Sequence, residues 1–198
     1  MKSEELQKPL FYFIGIVALL SLLMIATRGS HFTAFNTLPS ASIGVFFLAG
    51  MFLRTVKSYW FFYILSITID LVSSYYRGSF GDCLTTAYPA LAISYAVMFA
   101  FGYYAKPDWL QQNIIVNLVK VGAALFIGSS IAFFISNGSF YVLSGNFTDL
   151  SWYEYSTRVN KYYFNSISNP IFYATSAIVI DWGISRLYNH KVEAQLTS

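Results

Sequence analysis

The side chain best suited to coordination or covalent chemistry is one thiol, Cys83, in the segment Gly81-Asp82-Cys83-Leu84-Thr85-Thr86. A chain with a single cysteine forms no intrachain disulfide, no Cys-x-x-Cys redox pair and no multi-cysteine metal site. A free cysteine usually packs as a small hydrophobe, yet Cys83 stands outside the apolar runs, just ahead of one of them. Thr85 or Thr86 is placed to cap the helix that follows. A helix N-terminus favours a thiolate, whereas the adjacent Asp82 opposes it. One soft sulfur holds a free metal ion poorly, but it suffices as an axial ligand to a metal already held by a macrocycle. His31 is the other strong ligand candidate on the same side, and His190, in the C-terminal tail, reads as solvated.

Three charged residues fall inside long apolar runs: Asp70, Lys120 and Asp181. In a bilayer each needs a partner, a cavity or a changed protonation state. Lys120 and Asp181 lie seven and six residues from the same end of consecutive apolar runs, a depth of roughly 9–10 Å at the helical rise. Equal depth on antiparallel neighbours predicts a structural ion pair between them. Asp70 has only Arg77 as a cation at matching depth, so it is expected either to bond a neighbouring helix or to face a ligand.

The elements that position these groups follow from composition. Of 198 residues 56% are hydrophobic, 20% aromatic and 11% charged, against roughly 25% charged for a soluble domain. Mean hydropathy is +0.53. The surface is therefore expected to meet lipid, and the fold to be an all-α integral membrane protein of one domain. A net charge of +3, scattered along the chain, argues against a nucleic-acid partner. Six apolar stretches, 10–28, 41–56, 58–76, 86–104, 113–135 and 168–187, are read as transmembrane helices, measured against the ~20 residues needed to cross. The second is short and rich in small residues, so it is expected to be tilted, broken or partly embedded. Continuous apolar runs exclude a β-barrel, whose strands alternate, and five further spans make the first a retained helix rather than a signal peptide. Small residues from Gly122 to Ser130 favour close packing of the fifth helix within the chain.

Basic residues set the orientation. Lys2, Lys8, Arg54, Lys57, Lys106, Arg186 and Lys191 gather at one set of ends, and Arg28, Arg77, Arg158 and Lys161 at the other, which places both termini in the cytoplasm. The outer side then holds loops 29–40, 77–85 and 136–167. Phe140, Tyr141, Trp152, Tyr153, Tyr155, Tyr162, Tyr163 and Phe164 crowd the third. Single aromatics at a membrane boundary form a headgroup belt, but this density suits the wall of a large, flat, partly apolar ligand.

Three segments resemble the solitary vitamin B12-binding subunits (BtuM-like S-components) of the energy-coupling factor (ECF) transporter class: His31 to Arg54, Gly81 to Tyr88, and Ser136 to Gly145 with Ser151 to Tyr155. The resemblance implies an S-component-like bundle of six helices in the bacterial inner membrane that captures cobalamin or another corrinoid from outside. It implies that Cys83 ligates cobalt in the base-off form, with cysteine-dependent removal of cyanide from cyanocobalamin. Asp70 and Tyr88 would be polar contacts to the corrin substituents, joined by Arg158; His31, Asp82, Thr85, Phe140 and Tyr141 complete the expected ligand wall. An ECF energising module is a possible partner. The first helix departs from the small-residue pattern used for docking on it, offering Gly15 and Ala18 with Leu19 and Leu22 at the following positions, so a solitary mode stays open.

Two alternatives stand beside this reading: an uptake subunit for another vitamin or aromatic ligand with Cys83 incidental, and an intramembrane thiol enzyme using Cys83 as nucleophile and His31 as base. The chain has no Walker-type phosphate loop, so it is not expected to hydrolyse ATP itself.

Overall fold

Apolar runs with few interior breakers fold as helices, and local chemistry sets where they stop. The computed structural model describes residues 2–28, 40–77, 86–108, 113–148 and 150–196. Among these the chain is all-helical: α1 (Lys2–Arg28), α2 (Ser42–Phe52), α3 (Val56–Arg77), α4 (Tyr88–Ala105), α5 (Ile114–Leu143) and α6 (Trp152–Leu196). The Asn113 side chain caps α5 by accepting from Ile115 N–H at 2.9 Å. Gly145, with φ of 74°, supplies the left-handed residue just beyond its C-cap, Ser144. Helix α2 ends on Ala49, whose carbonyl accepts from both Leu53 and Arg54 N–H at 3.0 and 3.2 Å.

The expected third outer loop is corrected by the structure. Residues 136–143 continue α5 and residues 152–167 open α6, so only 144–151 lie between the two helices. The start of α6 is polar and aromatic and lacks the apolar run that marks a span. It is helical because Ser151 Oγ accepts from Glu154 N–H at 3.2 Å, the contact that Ser-x-x-Glu sequences encode. The second span is likewise shorter than expected: α2 has 11 residues, roughly 16 Å of helix.

That short helix is the centre of the fold. Ser42 and Gly44 to Met51 are buried, and α1, α3, α4 and α6 all pack on it. A helix apolar on every side is a core helix. Its tightest neighbour is α4. A Cβ on Gly50 would land on the Phe99 carbonyl, and one on Gly102 would land on the Phe47 carbonyl, so the two backbones touch where each has no side chain. Helix α5 packs on α4, and α6 closes the bundle against α5 and α2.

Outward faces are apolar too. Leu19 and Leu22 on α1, Ile64 on α3, Ile115 and Val119 on α5, and Phe172 and Ile180 on α6 are all exposed. Helix α5 is long and apolar enough to cross a membrane, while Tyr12–Arg28 and α2 are apolar but shorter.

The α2–α4 contact makes Gly102→Ala strongly destabilising, by about 3 kcal/mol or more, because backbone cannot yield as a side chain can. Gly122→Ala, which meets open space, should leave stability unchanged or raise it slightly. Thermal unfolding of the two variants, followed by circular dichroism, checks the contrast.

Candidate functional site

Helix direction alternates along the chain, so the C-terminal ends of α1 and α3 meet the N-terminal ends of α2 and α4. One polar network occupies that junction. Arg28, the last residue of α1, donates from Nε to Asp70 Oδ1 at 2.7 Å and from Nη2 to Asp70 Oδ2 at 2.6 Å, a bidentate pair. Its Nη1 donates to Ser42 Oγ at 2.7 Å and to Tyr95 OH at 2.6 Å. Tyr88 OH donates to Asp70 Oδ2 at 2.7 Å. The two charged side chains keep only 12% and 18% of their exposure, so the pair is held in a mostly dry setting. Phe46 stacks on Tyr95 with centroids 4.2 Å apart, which fixes that ring under the guanidinium.

The network corrects the expectation for Asp70: its cation is Arg28, not Arg77. It also joins two expected ligand contacts, Asp70 and Tyr88, to each other. In the sequence Arg28 figures only among the residues that set orientation, and Ser42 and Tyr95 have no expected role. The available signal was an arginine at the very edge of an apolar run, where an unpaired charge would be costly.

A second cluster lies at the same end. Ser94 Oγ donates to the Ala132 carbonyl at 3.1 Å, which sets α4 beside α5 one residue from Tyr95. The next turns of α5 carry Asn137, Phe140 and Tyr141. Arg158, in the second turn of α6, has its guanidinium carbon 5.3, 4.9 and 5.3 Å from the ring centres of Phe140, Phe147 and Tyr162. Its Nε donates to Asn137 Oδ1 at 3.5 Å. Tyr141 is buried; its hydroxyl donates to the Ser151 carbonyl at 2.9 Å and accepts from Ser151 N–H at 2.7 Å, pinning the α5–α6 turn. A cleft of about 310 Å³ opens beside it, lined by Gly138, Tyr141, Val142, Leu150, Ser151, Trp152 and Tyr155. That volume suits one edge or substituent of a large ligand, at the lower bound of small-molecule sites.

Phe140, Tyr141 and Arg158 are thus brought together, and Asp70 and Tyr88 are brought together. His31, Asp82, Cys83 and Thr85 lie outside the described residues. Thr86 does not cap α4: Ala87 holds the N-cap position with no side-chain bond, and proline in the first turn starts the helix instead. Nor do Lys120 and Asp181 pair. Lys120 is exposed, and its Nζ donates to the Lys106 carbonyl at 3.3 Å. The buried face of α5 runs through Asn117, Val121, Leu125 and Gly128, and Lys120 is rotated off it. Depth along a helix is legible from residue counting, but rotation about its axis is not.

Fold and site define an all-helical protein with a charged network and an aromatic-arginine cluster at one end of its bundle. Neither a protein-family model nor a curated protein matches the chain.

Removing one member of the Arg28–Asp70 pair leaves the other charge buried, which costs about 3–5 kcal/mol. Asp70→Leu alone should therefore destabilise more than the double variant Arg28→Met with Asp70→Leu. A double-mutant cycle on unfolding free energies measures the difference; additive single effects would show that the two charges are not coupled.

Proposed function

We propose that the chain is a multi-pass protein of the bacterial inner membrane that takes up cobalamin or another corrinoid, bound at the Arg28–Asp70 end of the bundle. The observation that carries this reading is the position of the segments holding the two ligand candidates. The His31 segment follows directly on Arg28 and ends at Ser40, two residues before Ser42. The Cys83 segment runs from the end of α3, seven residues beyond Asp70, to Thr86, two residues before Tyr88. Arg28, Ser42, Asp70 and Tyr88 are bonded into one network. The residues that flank both segments thus share one network, and in this reading Cys83 and His31 act above it.

The aromatic-arginine cluster supports the same ligand class. Rings at Phe140 and Tyr141 offer flat apolar surface, and among the described residues Asn137 is the one acceptor bonded to Arg158, leaving guanidinium donors for carboxamide or phosphate oxygens on a corrin periphery. Membrane residence is supported by the apolar outward faces, which exceed the isolated patches that water-soluble proteins expose. In this reading Cys83 ligates the substrate's cobalt and displaces its own nucleotide base. Asp70, held by Arg28, and Tyr88, which donates to Asp70, act as a rigid rim whose free lone pairs meet the substrate, with His31, Asp82 and Thr85 around the thiol. Loss of cyanide from cyanocobalamin is a consequence to be measured, and energy comes from an ECF module or the chain works alone.

The test is the visible spectrum of cobalamin on purified protein. Cys83→Ala should lose the thiolate-dependent spectrum and the release of cyanide, and should bind at least about tenfold more weakly, equivalent to ~1.4 kcal/mol. An unchanged spectrum and affinity would reject thiolate ligation. Arg158→Ala should keep the spectrum while weakening binding by about tenfold or more, the worth of one hydrogen bond to a charged group.

A further inference from the structure

The end of the bundle opposite Arg28 and Asp70 carries a cationic cluster that corrinoid capture does not use. Its geometry follows from the α2–α4 contact. Because Gly50 and Gly102 let the two backbones touch, both helices end side by side, and the Arg54 guanidinium carbon lies 4.1 Å from the Tyr103 ring centre. Arg54 takes a left-handed φ of 52°, a conformation rarely occupied by a side chain other than glycine. Three residues beyond Tyr103, the Lys106 carbonyl accepts from Lys120 Nζ at 3.3 Å. The turn that bears Lys106 is anchored from below: the buried Asn117 accepts from Asp108 N–H at 3.1 Å and donates to the Asp108 carbonyl at 2.7 Å.

Arg54, Lys106 and Lys120 are all exposed, and among the described residues none of them forms an ion pair. Lys120 is flanked on α5 by the exposed Ile115, Val116 and Val119. Its ammonium thus rises from an apolar face to a fixed turn that already holds a second cation. An apolar wall beneath clustered cations is complementary to an acyl chain beneath an anionic headgroup. We propose that this corner binds the phosphate of an anionic phospholipid of the adjacent leaflet, with Lys120 and Lys106 as its principal contacts. The site rests on the membrane reading given above but not on the identity of the transported ligand.

The experiment uses the whole chain, extracted in a neutral detergent and analysed by native mass spectrometry with added phosphatidylglycerol or phosphatidylcholine. The wild type should retain phosphatidylglycerol about tenfold more than phosphatidylcholine, a preference expected of two lysines near an anionic headgroup. Lys106→Gln with Lys120→Gln should lose that preference, and Lys106→Arg with Lys120→Arg should keep it. Raising salt should displace phosphatidylglycerol from the wild type, since the contact is screened. Equal retention of both lipids by the wild type, preference persisting in the glutamine variant, or indifference to salt would each overturn the site. If the glutamine variant fails to fold, the wild-type lipid comparison and the salt series still decide. A chain found in the aqueous fraction of a cell lysate would instead overturn the membrane reading itself, and inorganic phosphate displacing the lipid at equal concentration would show that the headgroup alone, without its acyl chains, supplies the affinity and would count against the lipid site.

Discussion

The bond on which the arrangement of this molecule most depends is the bidentate pair of Arg28 and Asp70. With Ser42, Tyr88 and Tyr95 it reaches four helices, within about two turns of the ends they share. A buried pair of this kind contributes little net stability, because desolvation offsets attraction. Its value is specificity. An arginine has five donors in a fixed plane, and the bonds made here tie α1 to α2, α3 and α4 at once. The cation also stands at the C-terminal end of α1, where the helix dipole favours it.

The second constraint is steric and works at the other end. At the α2–α4 crossing, glycine on each helix faces a carbonyl on the other, so the central helix and its main partner have one distance of approach. Around that contact Phe46, Phe47, Leu48 and Met51 fill the interior. Polar groups in the bundle bond back to their own helices, as Ser21 does to Val17 and Thr27 to Leu23, which removes the cost of burying a hydroxyl. The molecule thus has a charged tie at one end and, toward the other, a backbone contact and a cationic corner. The two ends therefore differ chemically.

Much of this was legible in the residues, and the failures have physical causes. Continuous apolar runs announced helices because nothing else satisfies so much backbone in such sequence. The Trp152–Ile167 stretch does not read as a helix because it is polar and aromatic, and its signal is a local cap, Ser151 to Glu154, not an apolar period. The cation for Asp70 was missed because Arg28 lies 42 residues away in sequence, and Lys120 was assigned a partner at the right depth but the wrong rotation. Arg158 sits on a helix, not in a loop, and its ring neighbours come from the end of α5, the α5–α6 connection and the next turn of α6.

By itself, the sequence determined the helical class, the positions of most helices and the chemical uniqueness of one thiol, since these depend on residue type and near neighbours. Tertiary structure decided which charges pair, which helix is central and which clusters share an end. Those depend on azimuth about each helix axis and on close approach between backbones, and neither is encoded in the spacing of a single segment.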